Sequence, residues 1–197
     1  MIIMISDRDT IALDEAVSFS GKNKLVYGII FMKNWALERL AANFPVPSGR
    51  VFLHRLRGIH IGKNVYIGYD VIFDRIHPEM ITIEDYVEIG DRCIISAHSR
   101  GTLLLRDKYP RTVNPVTIRR GVWMAPGCIV LQGVEIGEKT VIGTGAVVNK
   151  SIPANCVAVG VPAKVIKKMD DSPAKKDEPA TGNARIVTTP GTTAKPA

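Results

Sequence analysis

An imidazole titrates near pH ~6.5, so at neutral pH it can take a proton from a hydroxyl and give it back. That makes the four histidines of this 197-residue chain the first place to look for chemistry. His54 and His60 precede any regular pattern and read as surface or packing residues. His77 and His98 each sit beside a break in a repeat, and His98, in Ile94-Ile95-Ser96-Ala97-His98-Ser99-Arg100, opens the longer break. Two readings of His98 stay open on this basis: a general base, or a structural histidine satisfied by its neighbours. The three cysteines, Cys93, Cys128 and Cys156, have neither a partnered histidine motif nor metal-ligand spacing. They read as reduced core residues of a cytoplasmic protein and not as a disulfide framework.

The element that must position these side chains is a six-residue repeat between Ile61 and Ile152. Ile61-Gly62-Lys63-Asn64-Val65-Tyr66 is followed by Ile67-Gly68-Tyr69-Asp70-Val71-Ile72, and the same form returns from Ile136 to Val147. The first position is apolar in all twelve copies, from Ile61, Ile67 and Phe73 to Ile136, Ile142 and Val148. The fifth is mostly small or β-branched, and the second is often glycine. A period of six matches neither an amphipathic helix nor simple strand alternation. It matches a short strand plus a tight corner, with the first-position side chain inside and the second-position glycine relieving the backbone. Three such faces close one triangular coil of eighteen residues, and the expected fold class is an all-β solenoid.

The phase slips twice: Phe73 to Ile83 is ten residues, and Ile95 to Ile118 is twenty-three. Surplus residues in a solenoid become loops, often on the binding face. The segment from about Ser99 to Pro115 is therefore where chemistry is expected, with His98 at its head.

Composition bounds the rest. The length suits one main domain with appendages. The formal charge of +7 is spread out, with no basic stripe interleaved with stacking aromatics, so nucleic acid is not expected as a partner. It equally suits a protein that handles a polyanionic small molecule. The apolar run Leu25–Met32 is eight residues long, against about 20 for a membrane span. It also lies too far in to read as a signal peptide. Leu25 to Ala42 is expected as a helix packed on the first coil. A membrane-surface helix is the less favoured reading, because Lys33, Arg39, Arg50, Arg55 and Arg57 do not form a clean polar face. Pro45-Val46-Pro47-Ser48-Gly49 breaks that helix, and Val51 to Arg57 leads into the first coil. Val157 to Lys168 should cap the open end of the solenoid. The expected organisation is a helical N-terminal extension over 1–50, the repeat domain with its cap over 51–168, and a disordered tail over 169–197, where apolar residues are too sparse for a core.

Several segments together carry a resemblance: His77-Pro78-Glu79-Met80-Ile81-Thr82-Ile83, Ile94 to His98, Pro115-Val116-Thr117-Ile118 with Val122-Trp123, and Val157 to Ile166. Over about residues 50 to 168 the chain resembles the hexapeptide-repeat O-acetyltransferases. These include the maltose and galactoside acetyltransferases and, closer in layout, enzymes that acetylate sugars of surface polysaccharides. The resemblance implies a left-handed parallel β-helix, a hand that the general crossover rule would not supply. It implies an acetyl-CoA-dependent transfer to a sugar hydroxyl in polysaccharide or glycoconjugate biosynthesis, with His98 as general base and no metal. It places Asp74 where the family binds the acceptor, while a corner aspartate bonded to its own turn is an equal reading. It places Trp123, Pro126, Thr144, Asn149, Lys164 and Lys167 along coenzyme A. Pro126 stands where relatives often have serine, and the lysines stand where relatives often have arginine, keeping the charge without the bidentate fork. It also implies a homotrimer with active sites between subunits. A γ-class carbonic anhydrase would need a His-x4-His pair, which is absent. A catalytically inactive scaffold and a xenobiotic acetyltransferase remain as alternatives.

Overall fold

The apolar first positions find each other by stacking. The computed structural model describes residues 23–169 together with Asp14, Val17, Ser18 and Gly21. The tail beyond Met169 and most of the first 22 residues lie outside the described residues. The strands are β1 (His60–Ile61), β2 (Tyr66–Ile67), β3 (Ile72–Phe73), β4 (Ile81–Ile83), β5 (Glu88–Ile89), β6 (Ile94–Ile95), β7 (His98–Ser99) and β8 (Thr112–Val113). They continue with β9 (Val116–Ile118), β10 (Trp123–Met124), β11 (Ile129–Val130), β12 (Glu135–Ile136), β13 (Val141–Ile142), β14 (Val147–Val148), β15 (Cys156–Val159) and β16 (Lys164–Lys168).

Successive repeat strands join three sheets in rotation. The first sheet has the order β1-β4-β9-β12, the second β16-β15-β13-β10-β5-β2, and the third β14-β11-β6-β3. Among the described residues, all pairings between repeat strands are parallel, and only β15–β16 and the β7–β8 hairpin are antiparallel. The register stacks like positions: Ile61, Ile83, Ile118 and Ile136 in the first sheet, and Phe73, Ile95, Val130 and Val148 in the third. All but Ile61 are buried. Removing one such side chain from water is worth about 1.5–3 kcal/mol, and this column of contacts is the core.

The role expected of the second-position glycines is different in the structure. Left-handed backbone occurs at the fourth position instead, at Asn64, Asp70, Tyr86, Arg92, Gly121, Gly127, Gly133, Lys139 and Gly145. Second-position glycines are needed for close approach. A Cβ on Gly62 would meet the Asp85 backbone nitrogen at 2.7 Å, and one on Gly90 the Pro126 nitrogen at 2.7 Å.

Both phase slips are structured. The first holds a 3-10 turn at Pro78–Met80, and the second holds the β7–β8 hairpin and a 3-10 turn at Leu103–Leu105. Ser99, placed at an inward fifth position by the repeat, lies exposed in that hairpin, because the chain leaves the coil at His98.

Helix α1 (Lys24–Ala42) starts at Asn23, whose side chain accepts from Val26 N–H at 2.9 Å. The segment expected to lead straight into the first coil is a second helix, α2 (Pro47–Arg57). Proline at its first turn and Gly58 in left-handed backbone at its C-cap are both helix-boundary signals. Arg50 is buried, with Nε donating to Ile67 carbonyl at 2.7 Å and Nη1 to Phe44 carbonyl at 2.8 Å. It locks the helix pair onto the first coil. The cap expected over Val157–Lys168 is β15, which extends the second sheet in parallel, and β16, which closes it antiparallel.

Candidate functional site

The site is built where the third sheet turns toward the first. Phe73 and Ile95 are partners in register, so the residues that follow them are neighbours. Asp74 follows Phe73, and Ser96-Ala97-His98 follows Ile95. The Asp74 carboxylate is wholly buried. Its Oδ1 accepts from the N–H groups of Ile76 and His77, each at 2.9 Å. Its Oδ2 accepts from Ala97 N–H at 2.9 Å and from His98 Nδ1 at 2.5 Å. Burial opposes the charge. The hydrogen bond from His98, then that from His77 N–H, the His98 charge and the bond from Ala97 N–H outweigh it and hold the carboxyl well below the usual carboxylate range.

An ionised Asp74 fixes the proton of neutral His98 on Nδ1 and leaves the Nε2 lone pair free to act as a base. The His98 side chain is 24% exposed, so this pair has one end in solvent and one end in the protein. Beside it, the His77 ring lies edge-on at 5.9 Å between centroids. Arg111 Nη2 donates to His77 Nε2 at 2.9 Å, so His77 carries its proton on Nδ1, which donates to Glu79 Oε1 at 3.2 Å. The loop is pinned to the coil at its far side too, where Thr112 and Asn114 contact Gln132.

Both sequence readings of Asp74 concern what it touches. The structure places it in its own turn through Oδ1 and against His98 through Oδ2, so all four of these oxygen contacts are internal. The orienting partner of His98 is not evident from the sequence by inspection of motifs. The repeat nonetheless contains the signal, because the third copy of one coil lies under the third copy of the next, which puts Asp74 under Ser96.

The other expected site residues divide between places. Thr144 precedes β14 and Asn149 follows it, so they lie at opposite ends of one short strand. Asn149 is on the corner of Asp74 and His98. Pro126 and Thr144 are on the preceding corner, where with Tyr69, Asp91, Arg92 and Gly127 they line an open depression of about 500 Å³. Trp123 stands half-exposed on the second sheet between Glu88 and Val141. Lys164 and Lys167 are exposed on β16. One chain therefore does not bring the Pro126–Thr144 corner to the imidazole. Among the described residues, no group of three histidine, cysteine or acidic side chains is arranged to hold a metal ion, and the three cysteines are free and buried.

Short parallel strands rotating through three sheets, with an oriented histidine at the head of an inserted loop, define the hexapeptide-repeat class. The protein WcaF of Escherichia coli (strain K12), assigned as a colanic acid biosynthesis acetyltransferase, is 36% identical over 137 residues, 60% of this chain and 74% of that protein. The galactoside O-acetyltransferase of the same strain is 34% identical over 121 residues, 57% of this chain and 55% of that protein. A solved galactoside acetyltransferase in complex with coenzyme A matches with a TM-score of 0.56 and 25% identity, over 74% of this chain and 83% of that one. The chain belongs to the hexapeptide-repeat O-acetyltransferase family. It spans about half the length of the first curated relatives it matches. No family model matches it.

Proposed function

We propose that the protein is an acetyl-CoA-dependent O-acetyltransferase acting on a sugar hydroxyl in surface polysaccharide or glycoconjugate biosynthesis, built on a left-handed β-helix. The observation that carries this reading is the His98 Nδ1 to Asp74 Oδ2 bond of 2.5 Å, which leaves Nε2 as a base at a half-open edge of the coil. The relatives named for galactoside and colanic acid chemistry supply the acceptor class, and the coenzyme A complex supplies the donor.

In this mechanism His98 Nε2 takes the proton of the acceptor hydroxyl as its oxygen attacks the thioester carbonyl carbon. The tetrahedral intermediate collapses with cleavage of the C–S bond. The imidazolium returns the proton to the departing sulfur, giving the acetyl ester and free coenzyme A. Asp74 keeps the ring in register and stabilises the imidazolium, acting as a positioning residue. Thr144 and Asn149 contact the pantetheine arm and its neighbourhood, Trp123 stands near the reacting groups, Pro126 lines the path without a side-chain hydrogen bond, and Lys164 and Lys167 meet phosphate. Because these groups lie on different corners of one chain, the complete site forms between subunits of a homotrimer.

Free-thiol release from acetyl-CoA, measured over a panel of galactosides and nucleotide sugars, tests the reading. The wild-type protein should release thiol with at least one acceptor. His98→Ala should lower kcat by about 10²–10⁴-fold while coenzyme A still binds. Equal rates would remove His98 from the chemistry and favour a scaffold.

A further inference from the structure

A helix lying on a globular domain normally turns its apolar side inward. Helix α1 does the reverse. Its buried positions are Asn34, Glu38 and Ala41, and Glu38 is held there by Arg57 at 3.3 Å and Arg75 at 3.0 Å. Its outer side carries Leu25, Ile29, Met32 and Leu40 at helical spacing, 73, 62, 58 and 59% exposed. Helix α2 adds Phe52 and Leu56, four residues apart and each about half-exposed. Lys33 Nζ donates to Leu56 carbonyl at 3.0 Å, which joins the outer surfaces of the two helices into one patch.

Apart from Asp14, which pairs with Lys24 at 2.7 Å at the N-terminal end of α1, the charges on this patch have one sign. From Lys24 to Gly58 the chain has a single acidic residue, Glu38, and it is turned inward. Besides Lys24, the exposed cations are Lys33 and Arg39 on α1 and Arg55 on α2, whose guanidinium also donates to the carbonyls of Ile61 and Gly62. We propose that the outer face of α1 and α2 docks on an anionic lipid bilayer. Apolar side chains would enter the boundary between headgroups and acyl chains while the flanking cations meet lipid phosphate. A span is a different matter, since no helix among the described residues is long and apolar enough to cross a membrane. A second copy docked face to face is disfavoured as the occupant, because that isologous contact would set Lys33, Arg39 and Arg55 against their own copies. A heterologous contact within the proposed homotrimer is the competing occupant, which light scattering tests.

Flotation of the full chain with phosphatidylcholine vesicles, with and without phosphatidylglycerol, tests this without any acetyl donor. The protein should float with the mixed vesicles and far less with phosphatidylcholine alone. Ile29→Asp combined with Met32→Asp should lower partitioning at least about tenfold, and Lys33→Gln or Arg39→Gln about fivefold each, with thermal unfolding midpoints unchanged. Failure of the wild-type chain to float with mixed vesicles, or flotation indifferent to all of these changes, would overturn the proposal. So would light scattering that shows an oligomer dissociated by Ile29→Asp without any vesicle binding, which would make a second copy the occupant. These outcomes are independent of catalysis, so they leave the acetyltransferase reading untouched.

Discussion

The bond between Asp74 and His98 orders two side chains 24 positions apart, and its loss has a definite signature. An amide at position 74 keeps the volume but can offer its NH₂ to Nδ1 and favour the wrong tautomer. Asp74→Asn should lower kcat by about 10²–10⁴-fold with KM for acetyl-CoA little changed, as steady-state kinetics will read. A KM effect confined to the acceptor would instead mark Asp74 as a binding residue. His54 offers a separate prediction. It is buried beside Arg57 and Arg50, and burial first, then those two charges, push its pKa down to about 3. The unfolded chain protonates this histidine near pH ~6.5, so between there and about 3 the unfolded state holds more protons and stability falls as pH falls. From pH ~7.5 to pH ~5.5 His54 should account for about 1.4 kcal/mol of lost stability. Denaturant midpoints at the two pH values should show this slope in the wild-type chain and not in His54→Gln.

At the scale of strands and corners, the two glycine roles predict different costs. Gly62→Ala drives a methyl into the Asp85 backbone and carboxylate and should cost about 1–3 kcal/mol. Gly145 has φ +68 and open space, with nothing within 4 Å of the point a Cβ would occupy, so Gly145→Ala carries only left-handed backbone strain, about 1–2 kcal/mol. Chemical denaturation of the two variants separates crowding from strain, because a further change to leucine, which is not β-branched, should worsen position 62 much more than position 145. The period of six makes the strands, their inward positions and both loop insertions legible, since each Ile61-type residue must bury itself against its copy in the next coil. The hairpin at His98 is legible only as surplus length. Its pairing depends on Thr112 and Val113, which have no repeat to announce them. Helix α2 is hidden because Arg50, His54 and Arg57 look like a polar surface in sequence, whereas Arg50 and Arg57 are buried by donating to carbonyls of the first coil. The Asp74–His98 pair needs both the register and the turn at Ile76-His77, and only the register is written in the pattern.

Across the whole molecule, the decisive fact is the separation of Thr144 and Asn149 by the length of β14. If the depression at Pro126 and Thr144 holds the donor for a His98 on a neighbouring subunit, two kinds of inactive chain should repair each other. Chains with His98→Ala keep a sound depression, and chains with Thr144→Trp, which fills it, keep a sound imidazole. Co-expressed at equal amounts and assembled at random, they would form sites with one wild-type wall from each chain about one time in four. Thiol release should then recover to roughly a quarter of the wild-type rate per site, while either variant alone stays near background. If both walls came from a single chain, mixing would restore nothing, since every chain in the mixture carries one defect. The same experiment reports on assembly, because recovery requires that copies of this chain share a site and places the imidazole and the depression on opposite sides of one interface.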